Sequence, residues 1–196
     1  MRYSLSKWSC QVVKMEFSDY LKQILEKYPK DIGFLSDDFE EHETIQQIRR
    51  TFDFESKRQF PQFQVLLNSL VEKYFMVLSN YGLSHRSLDI TIRVTQDADF
   101  FIDISISMLV PFHCIICWRP ESSEKSYCQI EVCSTDYNQY LDKINQLVKQ
   151  NFDSELIDNK TISEVLLGIE VESISIENSA TVYNMFFATF PVTFLK

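Results

Sequence analysis

The stretch Ser36-Asp-Asp-Phe-Glu-Glu-His-Glu-Thr44 places five acids and one histidine in seven consecutive positions. On a helix, Asp38 and His42, or Asp37 and Glu41, are one turn apart and share a face, as ligands for a cation would. Further acids or imidazoles elsewhere are needed to complete a coordination shell, and the sequence shows no second such cluster. Ser36, Asp37 and Asp38 are N-capping types, and Glu40, Glu41 and Glu43 suit the positive end of a helix dipole. The segment therefore reads as the solvated start of a helix. A helix start of this kind is also a docking surface for a basic protein, with Phe39 as an apolar anchor beside Asp37, Asp38, Glu40, Glu41 and Glu43.

A second group is His113-Cys114-Ile-Ile-Cys117, followed by Cys128 and Cys133. A zinc knuckle needs a tight turn that converges two thiolates on one ion. Two isoleucines between the cysteines favour a strand instead, where Cys114 and Cys117 point to opposite faces. No metal and no cofactor is expected from this pattern. Five cysteines also fall short of a disulfide scaffold and read as reduced thiols in a cytoplasmic protein.

The third group needs a strand register. In Leu88–Val94 and Phe100–Val110, apolar and polar residues alternate with a period of two. A hairpin centred near Asp97 sets Arg93 opposite Phe101 and Thr91 opposite Asp103. Arg93, Asp103 and His113 then become candidates for one polar surface able to hold an anion or move a proton. The plain reading of the same pattern is the wet face of a one-sided antiparallel sheet. Nucleophilic catalysis has little support: the three histidines have no G-x-S-x-G partner, and no catalytic residue is assigned.

The elements that must carry these groups follow from periodicity. Phe17–Lys30 reads as a helix with Ser18 as N-cap, ended by Pro29, and residues 40–52 as a shorter one. A long helix is expected from Pro61 to Leu83, with Gly82 in a Schellman ending. Strands are expected at 88–94, 100–110, 112–118 and 127–133, a helix at Thr135–Phe152, and two last strands at 169–176 and 181–190. This order describes one α+β domain over residues 1–196. Its expected core is a mainly antiparallel sheet of about six strands, with one face covered by the N-terminal helices and the later helix.

Composition narrows the function. Hydrophobic residues at 45 % with charged residues at 24 % describe a folded chain with a sizeable core. Only three glycines occur, which disfavours phosphate-cradling loops. The net charge of −9 and the absence of a basic stripe argue against nucleic acid. No apolar run approaches membrane-spanning length, and the N-terminus lacks the apolar core of a signal peptide. The expectation is a non-enzymatic protein-binding module, in its most concrete form a bacterial immunity or inhibitor protein that covers a basic partner. The alternative is a small-ligand binder or enzyme built around Arg93, Asp103 and His113.

Overall fold

The computed structural model describes residues 16–29, 37–71, 75–79, 87–94, 100–120, 127–129, 135–166, 180–187 and 192–193. It opens with four helices, α1 (Phe17–Lys27), α2 (Asp37–Glu41), α3 (Glu43–Arg58) and α4 (Phe60–Val71). Strands β1 (Phe75–Ser79), β2 (Ser87–Val94), β3 (Phe101–Ser107), β4 (Phe112–Pro120) and β5 (Tyr127–Gln129) follow. Helix α5 (Thr135–Phe152) leads to β6 (Glu155–Leu156), α6 (Asn159–Ile162), β7 (Val165–Leu166), β8 (Ala180–Thr181), α7 (Val182–Phe186) and β9 (Val192–Thr193). The α+β class is as expected.

The sheet differs from the expectation of about six antiparallel strands. Four substantial strands, β1 to β4, run antiparallel in order. The remaining additions are two or three residues long, and two of them pair in parallel: β6 along β4 and β9 along β5. The sheet is mixed. Within β2 and β3 the expected register is observed, with Thr91 opposite Asp103 and Arg93 opposite Phe101. The connecting residues 95–99 lie outside the described residues.

Two helix and strand assignments also change. The apolar stripe expected to continue one helix to Leu83 breaks into α4 and β1, and Phe75-Met-Val-Leu-Ser79 pairs with β2. A short apolar run fits a buried strand or a buried helix equally well, and pairing with β2 decides it. Gly82 falls outside the described residues. Near the C-terminus, the strand expected at 181–190 begins instead with α7, because Thr181 and Asn184 form a reciprocal capping box. The expected strand at 169–176 lies outside the described residues, as do Cys133 and Ser36.

Both faces of the central strands are packed against other elements. On one face Ile90, Ile92, Ile102, Ile104 and Ile106 pack against Phe63 and Leu67 of α4 and Ile144 and Val148 of α5. On the other, Cys114, Ile116 and Trp118 pack with Val182, Tyr183, Met185 and Phe186 of α7, beside Phe17, Tyr20 and Ile24 of α1. The expectation of a wet second face is therefore corrected. Ser87 and Ser105 on that face are essentially inaccessible to water. The alternation was real, but it separates an aliphatic interior from a polar one. No helix among the described residues is long and apolar enough to cross a membrane.

Candidate functional site

The acidic stretch forms two short-spaced helices rather than one. Helix α2 ends at Glu41 and α3 begins at Glu43, with His42 between them. The His42 backbone N–H donates to Phe39 O at 3.2 Å, and His42 Nδ1 accepts the Thr44 N–H at 3.3 Å. The imidazole thus caps the first turn of α3, a role usually taken by Ser, Thr, Asp or Asn. The Thr44 hydroxyl donates to Lys27 O at 3.0 Å and ties α3 to the end of α1.

Asp37, Asp38, Glu41 and Glu43 are exposed. Glu40 belongs to α2, with its side chain outside what is described. Phe39 contradicts its expected role as an anchor for a partner. It is only 3 % accessible, meets Tyr28 edge-on at 6.1 Å and joins the core with Ile45 and Ile48. The physical reason is helical phase: one position in this short helix faces the core, and the sole large apolar residue takes it. Its burial holds the carboxylates outward on a fixed base.

The alternative group of Arg93, Asp103 and His113 is split by the sheet. Asp103 lies opposite Thr91 and Ile116, on the face covered by α7, and Arg93 belongs to the same face two residues beyond Thr91. His113 lies opposite Ile106 and so projects from the other face. There Nε2 meets Asn145 Oδ1 at 3.0 Å and Nδ1 meets Ser154 Oγ at 3.0 Å. With the Asn145 carbonyl facing Nε2, that nitrogen carries the proton and Nδ1 accepts from the Ser154 hydroxyl. Burial lowers the His113 pKa to about 4, against the raising effect of Asn145, so the ring is neutral. It pins α5 and the start of β6 to β4.

Sequence reasoning passed over Asp89 and the serines around it. Asp89 accepts from the Ser87 hydroxyl at 2.9 Å, and Ser87 also contacts Phe187 O at 2.5 Å. Asp103 Oδ2 accepts the Trp118 indole N–H at 2.6 Å. Asp103 Oδ1 is buried with no hydrogen bond of full geometry among the described residues. Burial raises both carboxyls to about 6, with Ser105 and Ser87 opposing the shift at Asp89, and Thr91 and Trp118 opposing it at Asp103. Burial likewise raises the Cys114 thiol and the Tyr183 phenol above them. This cluster lies on the face that α7 packs against, and burial there favours the protonated carboxyls. The signal for it was the period-two row Ser87, Asp89, Thr91, Arg93, which a solvent face writes in the same way.

Cys114 and Cys117 are free thiols in different core clusters, as strand geometry requires. Burial pushes the Cys117 pKa up to about 12, which suits an inert core thiol.

Two cavities open beside α3, one of them at the acidic segment. One, of about 760 Å³, lies between α1 and α3 and is lined by Lys27, His42, Glu43, Thr44 and Gln47. The other, of about 430 Å³, is bounded by Arg58 and Gln59, by the turn after β3, by Asn151 in the last turn of α5, and by Asp153 and Ser154 after it. Comparison with protein families, with curated proteins and with solved structures finds no match to this chain.

Proposed function

We propose that the protein is a non-enzymatic binding module that docks a basic protein partner through the acidic surface of α2 and the first turn of α3. The observation carrying this reading is the arrangement around Phe39. A buried aromatic fixes the segment while Asp37, Asp38, Glu41 and Glu43 stay in water. Carboxylates displayed on a fixed base accelerate encounter with a positive surface and disfavour acidic competitors. An immunity or inhibitor protein, covering the basic site of a bacterial toxin, is the most concrete form of this role. The charge of −9 is in keeping with it.

The test is kinetic. A triple variant, Asp37→Lys with Asp38→Lys and Glu41→Lys, removes the charge without touching the core. Its association rate with the partner should fall by about tenfold or more at low salt, and the difference should shrink as salt screens the field. An association rate equal to the parent's at low salt refutes the proposal.

A further inference from the structure

Ser87 stands between β2 and the end of α7, and its one proton has too many acceptors around it. The hydroxyl oxygen lies 2.9 Å from each Asp89 carboxyl oxygen and 2.5 Å from Phe187 O. All three neighbours are acceptors once Asp89 is ionised, and a hydroxyl donates only once. We propose that a proton on Asp89 latches the C-terminal end of α7 to β2, and that ionisation of Asp89 releases it.

Two arrangements of protons are open to the group. With Asp89 protonated, its O–H donates to Ser87 Oγ, and the Ser87 proton lies on Phe187 O. Both contacts are then hydrogen bonds. With Asp89 ionised, the carboxylate is the stronger acceptor and draws the Ser87 proton to itself. Ser87 Oγ then turns a lone pair toward Phe187 O, and the 2.5 Å contact changes from attraction to repulsion. Ser87 is 0 % accessible, so bulk water does not relieve it. Asp89 is only half-buried, which gives its proton a route out.

The surroundings favour the proton. Burial holds the Asp89 carboxyl up at about 6, and the charge of Asp103 on β3 adds to that, while the hydroxyls of Ser105 and Ser87 oppose it. Cys114 of β4 and Tyr183 of α7 share the cluster, and burial raises both so that they stay neutral. Helix α7 brings no basic residue, and Arg93 stands four residues further along β2. On α1 and α6, packed into the same core, Asp19, Lys22, Glu26, Lys27 and Lys160 are exposed.

The fastening matters because α7 is short. Five residues do not hold a helix by themselves, and all five are buried. Its N-terminal end is held by the capping box and by the Val182 N–H, which donates to Glu164 O at 2.9 Å. At the other end the Phe187 N–H donates to Tyr183 O at 2.9 Å, and Phe187 O reaches Ser87. Asp89 is raised from 3.8 to about 6 in the folded chain, so the latch is closed in acid and opens as pH rises through 6.

Hydrogen exchange on the full chain tests this, read as protection factors corrected for the intrinsic pH dependence of exchange. From about pH 5 to about pH 7.5, residues 182–187 should lose protection about tenfold, the equivalent of one net hydrogen bond, and β3 should lose less. Asp89→Asn gives Ser87 a permanent amide donor and should abolish the difference. Asp103→Asn should keep it, with the midpoint moved to lower pH. Equal protection of 182–187 at the two pH values overturns the latch. So does a pH dependence that survives Asp89→Asn, or a loss shared equally by α7 and β3.

Discussion

Asp89 and Asp103 occupy adjacent strands on one sheet face, each opposite a hydroxyl residue of the other's strand: Asp89 faces Ser105 and Asp103 faces Thr91. The acids are therefore diagonal neighbours under α7, and the charge on Asp103 raises the pKa of Asp89. Burial is the main cause of the raised pKa at both acids, and at Asp89 the neighbouring charge adds to it. Folding therefore favours the protonated form of each acid.

The pH dependence follows from that pair. Each acid has a folded pKa of about 6 against an ordinary value of 3.8. Its contribution is fully present below pH 3.8 and is lost as pH rises through 6. His113, lowered to about 4 from 6.5, works in the opposite direction: its contribution is present above pH 6.5 and lost as pH falls through 4. Substitution separates the two. Asp103→Asn should melt higher than the parent at pH 7.5, by an amount on the order of 1–3 kcal/mol in stability, and equal it near pH 4. Thermal melts at both values decide the matter, and a lower melting temperature for the variant at pH 7.5 contradicts the buried-pair account.

His113 should stay neutral through the physiological range. Its imidazole resonances, followed by NMR, should show no titration between pH 5.5 and 8, since the folded pKa is about 4. Ser154→Ala leaves Nδ1 without its donor and should cost about 1–3 kcal/mol by chemical denaturation. A titration midpoint near 6.5 would place the ring in water instead.

Phe39 and Phe54 make a matched test of the surface. Phe39 is 3 % accessible and Phe54 59 %. Phe39→Ala should destabilise by about 3–5 kcal/mol, whereas Phe54→Ala should cost no more than about 1 kcal/mol. Equal effects in a urea titration would mean that Phe39 is not the residue holding α2 down.

The capping box at Thr181 and Asn184 holds the cover of the polar face. Asn184 N donates to Thr181 Oγ1 at 3.2 Å, and Thr181 N donates to Asn184 Oδ1 at 3.0 Å. Thr181→Ala should cost about 1 kcal/mol. It should also speed hydrogen exchange at residues 182–187 more than at β3, because the loss is local to α7. Uniform exchange across both would show that α7 does not open on its own.

Much of this was readable from residue order. The isoleucines at 90, 92, 102, 104 and 106 alternate so strictly that their strand character and common face followed, and a hairpin centred near Asp97 supplied the β2–β3 register. The separation of Cys114 from Cys117 came from the same rule. Helix α1, ending before Pro29, was also legible, although its N-cap is Glu16 and not the expected Ser18, which lies within the first turn. The capping box of α7 was present as Thr-x-x-Asn, yet the flanking aromatic and β-branched residues suggested a strand, and local capping prevailed over that propensity.

Other features depend on what lies above a residue, which local order does not encode. Periodicity distinguished the two faces of β2 and β3; only the packing of α7 decided that the polar one is covered, and so that Asp89 and Asp103 hold protons at unusually high pH. Likewise the acidic run declared its own charge, while the turn of α2 toward Tyr28 chose Phe39 for the core and left the carboxylates outside. Alternation and charge are properties of neighbours along the chain. Burial is set by segments dozens of residues away, and with it goes the desolvation that shifts a pKa.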